Sequence, residues 1–472
     1  MRTASMTRLT LLSIAILVVT ACDGSASRPG SAAIPSAPAA GGAGPSSPAG
    51  PARAGGGALD VWLLAGRAGE TGLHLVLAST GESAMDLPAG SPRSGSNWDH
   101  VMTATADGDA TVVRDSVIEP GLLEPGLEGP QVRIDGHWRL PTIGLDPIPA
   151  GRSLDGSTVV LVEGGYDPGQ ARSRFAVVEH GFSNDVSTDP GAPLRLARIV
   201  DLPGAFEYDT LSPDGRILYL VEHLDASAGG RYQVRAVDVA TGVLRDGVIV
   251  DKTNVEESMA GSPIAQVRRP DGVVLTLYRG PDHPFVHALN AKEAWAVCID
   301  LPRGAHDAGV GEHDAGLDWG LTSDTFVTSV YAVNASLGLA VEIDPAGLTV
   351  RRSAEIPATA TGPAAGSIVL AKFGHGEFGP IGRRVVAAPD GTALFAAGAN
   401  GVTVIRTKDL SVVRTDLAGS TVDGLGITPD GATLFALLRG SGQIVAVDAR
   451  TGRRLGTVPG AGYDRLVAVA PA

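Results

Sequence analysis

Asp423-Gly-Leu-Gly-Ile-Thr-Pro-Asp-Gly-Ala-Thr-Leu-Phe-Ala-Leu-Leu-Arg-Gly-Ser-Gly-Gln-Ile-Val-Ala-Val-Asp-Ala-Arg-Thr-Gly-Arg-Arg-Leu-Gly-Thr-Val458 reads as four short strands separated by three turns. Gly424–Thr428, Thr433–Leu438, Gln443–Val447 and Arg454–Val458 are brief, mostly apolar runs bounded by turn residues, which is the pattern of strands. In Thr428-Pro-Asp-Gly431 proline is preset for the second position of a type I turn, and glycine takes the positive φ that follows. In Asp448-Ala-Arg-Thr-Gly452 the aspartate accepts backbone hydrogens and glycine again occupies the left-handed position. The segment is a four-stranded antiparallel meander.

The end of the chain reads into its beginning. Asp464-Arg-Leu-Val-Ala-Val-Ala-Pro471 keeps the phase of Asp423–Pro429 yet stops before an Asp-Gly pair. Gly57–Gly66 supplies the continuation, matching Gly431–Gly440 at one constant offset without gaps. Ser79-Thr-Gly81 followed by Leu87-Pro88 then echoes Arg450-Thr-Gly452 followed by Val458-Pro459. A repeat divided between the two ends is what a closed ring of repeats needs in order to latch.

The first turn recurs at Asp107-Gly108, Asp155-Gly156, Asp214-Gly215, Asp271-Gly272 and Asp390-Gly391, and more weakly at Ser323-Asp324. The third recurs at Asp238-Val-Ala-Thr-Gly242. With the phase at Asp430 and the divided one, the first turn makes eight. The expected fold is all-β: a β-propeller of four-stranded blades over residues 58–472, closed by pairing of the N- and C-terminal strands. Eight phases count as eight blades, or seven if an irregular phase within 109–147 is an insertion. Ser212-Pro-Asp-Gly-Arg-Ile-Leu-Tyr-Leu-Val221, Thr428-Pro-Asp-Gly-Ala-Thr-Leu-Phe-Ala-Leu437 and Ile444-Val-Ala-Val-Asp448 resemble the YVTN-type β-propeller repeats of exported and surface-layer proteins. The resemblance implies architecture and does not select among the binding, scaffolding and catalytic roles that propellers host.

Composition narrows the partners. A net charge of −14 opposes non-specific binding to nucleic acid, which needs clustered Lys and Arg. Aromatic residues at 4% supply no long stacking platform for bases or sugars.

Arg2 and Arg8 precede the apolar run Leu9–Val19, too short to span a bilayer and suited to the core of a signal peptide. Val19-Thr-Ala-Cys22 follows and resembles the lipobox of bacterial lipoproteins, with Val19 where leucine is usual. The resemblance implies cleavage after residue 21 and lipidation of Cys22. Residues from Asp23 to Gly56 are Gly, Ala, Ser and Pro with almost no large apolar side chains, a tether whose typical reach is roughly 30–35 Å. The expected organisation is a signal peptide over 1–21, a lipidated tether over 22–57 and the propeller beyond, on the extracytoplasmic side of the cell membrane. Cys298, the second cysteine, lies in a strand-like run and is expected to be a buried, inert thiol.

Five acids stand a short strand's length before their turns: Asp99, Asp209, Asp318, Asp423 and Asp464. In a ring they converge on one mouth of the channel, where they serve a polar ligand or a cation, or cap the turns between blades. His283, His287, His306, His313 and His375 lack zinc-type spacing and read as loop and strand histidines without metal. No Gly-x-Ser-x-Gly elbow is present. Asp448-Ala-Arg-Thr-Gly452 also resembles the core of quinone-cofactor propeller repeats, but Leu455 stands where those place a docking tryptophan, so no cofactor is expected. The expected function is a membrane-anchored binding or scaffold module for a protein or cell-envelope partner. The alternative is a metal-dependent, lactonase-like hydrolase using Asp99, Asp318 and Asp423.

Overall fold

Thr433–Leu438 and Gln443–Asp448 are buried along nearly their whole length, because the sheet they belong to is covered on both faces. The computed structural model describes residues 59–68, 70, 72–87, 90–92, 100–117, 129–144, 150–164, 170–180, 193–225, 230–249, 259–280, 283–302, 319–359, 382–460 and 462–471. The expected signal peptide, Cys22 and the expected tether lie outside these residues, as do Asp99 and Asp318.

The strands form eight antiparallel sheets, each a blade of a β-propeller. Blade 1 is composite, running from Tyr463–Pro471 at the channel through Val61–Arg67 and Leu73–Leu77 to Ser83–Leu87 at the rim. Blades 2 to 8 follow in chain order, with innermost strands Gly90–Pro92, Trp138–Arg139, Phe206–Leu211, Ser262–Arg268, Trp319–Ser323, Val385–Ala387 and Val422–Ile427. Blade 4 carries one extra short strand, Met259–Ala260, on its third strand Arg231–Asp238.

The closure expected from the divided repeat is present. Val61 pairs with Pro471, Leu63 with Val469 and Arg67 with Tyr463. Leu63, Ala65 and Leu466 are fully buried in the layer shared with blade 8. Arg465 Nη2 donates to the carbonyls of Glu70 (2.5 Å) and Gly72 (3.2 Å), fixing the next turn to the last strand.

The turns follow the chemistry read from their residues. Thr428 Oγ1 donates to Asp430 Oδ1 at 2.6 Å and accepts from the Thr433 amide at 3.0 Å, with Gly431 at φ 71°. Ser212, Asp214 and Ile217 repeat this arrangement in blade 4, and Ser153, Asp155 and Thr158 in blade 3. In blade 6 the weak phase at Asp324 is a genuine turn of this position, with Val327 at φ 53° in place of glycine. Asp107-Gly108 is different: it joins His100–Asp107 to Ala110–Val117, the second and third strands of blade 2. The count of eight stands although this phase is displaced, because Asp-Gly serves any tight hairpin needing positive φ.

The core is distributed around the ring. Among the described residues seven apolar clusters occur, each filling the space between consecutive blades. Gly382–Arg384, leading into blade 7, also crosses its neighbours: Arg383 bridges Leu425 of blade 8 and Gly382 bridges Leu466 of blade 1. A Cβ on Gly382 would stand 2.5 Å from the Cα of Gly424, so the crossing needs glycine there.

Candidate functional site

Innermost strands of blades 4, 8 and 1 are each interrupted by β-bulges. Pairing passes from Tyr208 to Thr210, from Val422 to Gly424 and from Tyr463 to Arg465. The residues left without partners in these ladders include Asp209, Asp423 and Asp464, the three described members of the acid set, and Val467 at a second bulge in blade 1. A bulge breaks the strict alternation of sides and re-aims the extra residue.

The three acids are not gathered into one cluster. Asp423 is buried and accepts from Arg439 Nε at 2.7 Å, with Arg384 Nη1 at 3.4 Å. Asp464 is half-exposed beside Arg465 Nε at 3.0 Å. Asp209 lies in blade 4, on the opposite side of the eight-bladed ring from blade 8, and is 2% exposed. Among the described residues no three His, Cys, Asp or Glu side chains stand close enough together to hold a metal ion.

Around Asp209 three blades meet through one guanidinium. Arg268, at the end of the innermost strand of blade 5, donates from Nε to Gln266 Oε1 at 3.2 Å. Its Nη2 donates to the Tyr208 hydroxyl of blade 4 at 2.9 Å, and its Nη1 to the Arg152 carbonyl of blade 3 at 2.6 Å. Gln266 turns its amide nitrogen the other way, toward Asp209 Oδ1 (3.4 Å) and Thr276 Oγ1 (3.0 Å). Glu207 sits two residues before Asp209, with His223 Nε2 3.2 Å from its carboxylate. Burial lowers the Arg139 guanidinium on the innermost strand of blade 3 from its ordinary value, and the nearby Glu207 carboxylate opposes this. This wall therefore holds the guanidiniums of Arg139 and Arg268 and the carbonyl of Arg152, with the carboxyls of Glu207 and Asp209.

Burial pushes the Asp209 carboxyl up to about 7, against the pull of Arg268 and with a smaller push from Glu207. Burial also raises the Tyr208 hydroxyl, which Arg268 opposes. Behind Asp209 a polar row crosses blade 5 in direct register, Gln266 beside Thr276, Thr276 beside His287 and His287 beside Cys298. His287, expected as a strand histidine, is fully buried under the edge of Tyr278, which stacks on Tyr232. Cys298 lies on the outermost strand and is half-buried, where full burial was expected, because an outermost strand is covered less completely than the inner ones. His283 faces Asp300 at 3.0 Å, and His306, His313 and His375 lie outside the described residues.

The arginines and Glu207 were not anticipated from sequence. Arg268 and Arg269 stand immediately before Pro270-Asp-Gly272, so an arginine pair closing an innermost strand is visible, but the reach of Arg268 across two neighbouring blades follows only from the ring.

No protein-family model and no curated protein matches the chain. Among solved structures, it is similar to the dihydro-heme d1 dehydrogenase NirN in complex with DHE, with 13% identity and a TM-score of 0.50, covering 89% of this chain and 76% of that one. It is also similar to apo AztD from Citrobacter koseri, with 11% identity and a TM-score of 0.48, covering 87% of this chain and 97% of that one. At these identities the likeness is one of fold.

Proposed function

We propose that this propeller is an extracytoplasmic lipoprotein of the YVTN-repeat type, tethered through Cys22, that binds a protein or cell-envelope partner. Its docking site is the polar wall of blades 3 to 5. The observation carrying the reading is Arg268, whose guanidinium is fixed by acceptors on three blades and so presents a prearranged polar surface that loses little entropy on binding. The lipobox and the Gly/Ala/Ser/Pro tether support placement at a membrane surface, where a ring on a long leash can meet neighbours.

Crosslinking in intact cells tests the proposal, with Cys22→Ala as the unanchored control and Arg268→Met as the altered wall. A discrete crosslinked species is expected from the native chain, and its yield should fall at least about tenfold in either variant while the purified ring stays folded. Turnover of lactones or esters by the purified chain, with crosslinking indifferent to both substitutions, would overturn the reading.

A further inference from the structure

The wall around Asp209 has a property of its own, which holds whether or not a partner docks there. Asp209 is sealed between blades 4 and 5, where a bulge leaves it out of the strand ladder. Its carboxyl receives one long hydrogen bond, 3.4 Å from the neutral amide of Gln266, and Oδ2 has no hydrogen-bond partner among the described residues. A buried carboxylate requires several donors or a cation, whereas the neutral acid requires far less.

Arg268 is the cation within reach, and all three of its present acceptors are uncharged: an amide oxygen, a backbone carbonyl and a phenol. Charge-assisted hydrogen bonds are about twice as strong as neutral ones, so a charge on Asp209 competes directly for that guanidinium. The surrounding groups offer no substitute cation at Asp209 itself. On its own strand stand Glu207, a like charge, and Tyr208. The other strands of blade 4 contribute Tyr219, Tyr232 and His223, the last held against Glu207. Blade 5 adds Tyr278, His287 and Cys298. Arg139 and Arg152 belong to blade 3; Arg139 lies near Glu207, and Arg152 meets Arg268 through its backbone carbonyl.

We infer that Asp209 is a proton-controlled fastener of the ring: neutral, it leaves Arg268 tied across blades 3, 4 and 5; ionised, it draws the guanidinium off the Tyr208 hydroxyl and the Arg152 carbonyl. Burial brings the carboxyl to about 7, so the exchange falls near neutrality, in a range an exported protein meets.

Two measurements on the full chain in detergent test this. Infrared difference spectra with isotope-labelled aspartate carboxyls should show a protonated-acid band that disappears with a midpoint near 7, is missing in Asp209→Asn, and persists to higher pH in Arg268→Met. Amide exchange over residues 150–160, corrected for intrinsic rates, should quicken on the order of threefold or more between about pH 6 and about pH 8 in the native chain and stay level in Asp209→Asn. A band absent near pH 6, a midpoint in the ordinary carboxylate range, or equal quickening in Asp209→Asn would overturn the inference. Should Asp209→Asn fail to fold, the direction of the midpoint shift in Arg268→Met still decides it, since no shift means no competition for the guanidinium.

Discussion

Ala294 holds φ 57° at the turn between the third and fourth strands of blade 5, the place that Gly452 takes in blade 8 at φ 75°. The two turns share one hydrogen-bond plan. Asp448 Oδ1 accepts from the amides of Arg450 and Thr451, and Asn290 Oδ1 accepts from those of Lys292 and Glu293. The motif was legible where glycine filled the left-handed position and invisible where alanine did, although geometry and capping are the same. Replacing exposed Ala294 by glycine removes the Cβ clash of the left-handed conformation and should raise unfolding free energy by up to about 1 kcal/mol in urea titration. Gly452→Ala should do the opposite by about 1–3 kcal/mol, since its Cβ would fall 2.1 Å from Asp416 Oδ1.

Innermost strands are where alternation fails as a guide. Asp209, Asp423 and Asp464 were singled out from their spacing before the turns, and each proves to be the extra residue of a bulge. A bulge leaves no mark on composition, so the sequence located the residues without showing which way they face. Their partners were equally hidden, because Arg384 and Arg439 reach Asp423 from segments far apart in the chain. Truncating Asp423 to alanine leaves two guanidiniums without their shared carboxylate, and a loss of about 2–3 kcal/mol is expected in urea unfolding. Asp209 has the reverse sign with pH. Its folded value is raised from 3.8 to about 7, so the stability it contributes is complete below about pH 4 and is lost as pH rises through 7. Up to about 4 kcal/mol separates the two limits, and thermal midpoints of the native chain minus those of Asp209→Asn should decline across that window and level off above it.

At the scale of the ring, the divided repeat was the most readable feature, because closure imposes a register that the residues themselves must match. Deleting Arg465–Ala472 removes buried Leu466, Val467 and Val469 and strips the inner edge of Val61–Arg67. A loss on the order of 5 kcal/mol or more is expected from those side chains alone, and an unchanged urea midpoint would disprove the latch. The crossing at Gly382–Arg384, which no repeat phase signals, ties blade 7 to the same two blades and should loosen with them. The composite blade also gives the disc two inequivalent sides. Val61 lies opposite Pro471, on the side of the ring that bears the turns at Asp214-Gly215, Asp271-Gly272, Asp390-Gly391 and Asp430-Gly431. The chain therefore reaches its first strand from that side, and the hairpins at Gly398–Gly401 and Leu438–Gln443 look the other way.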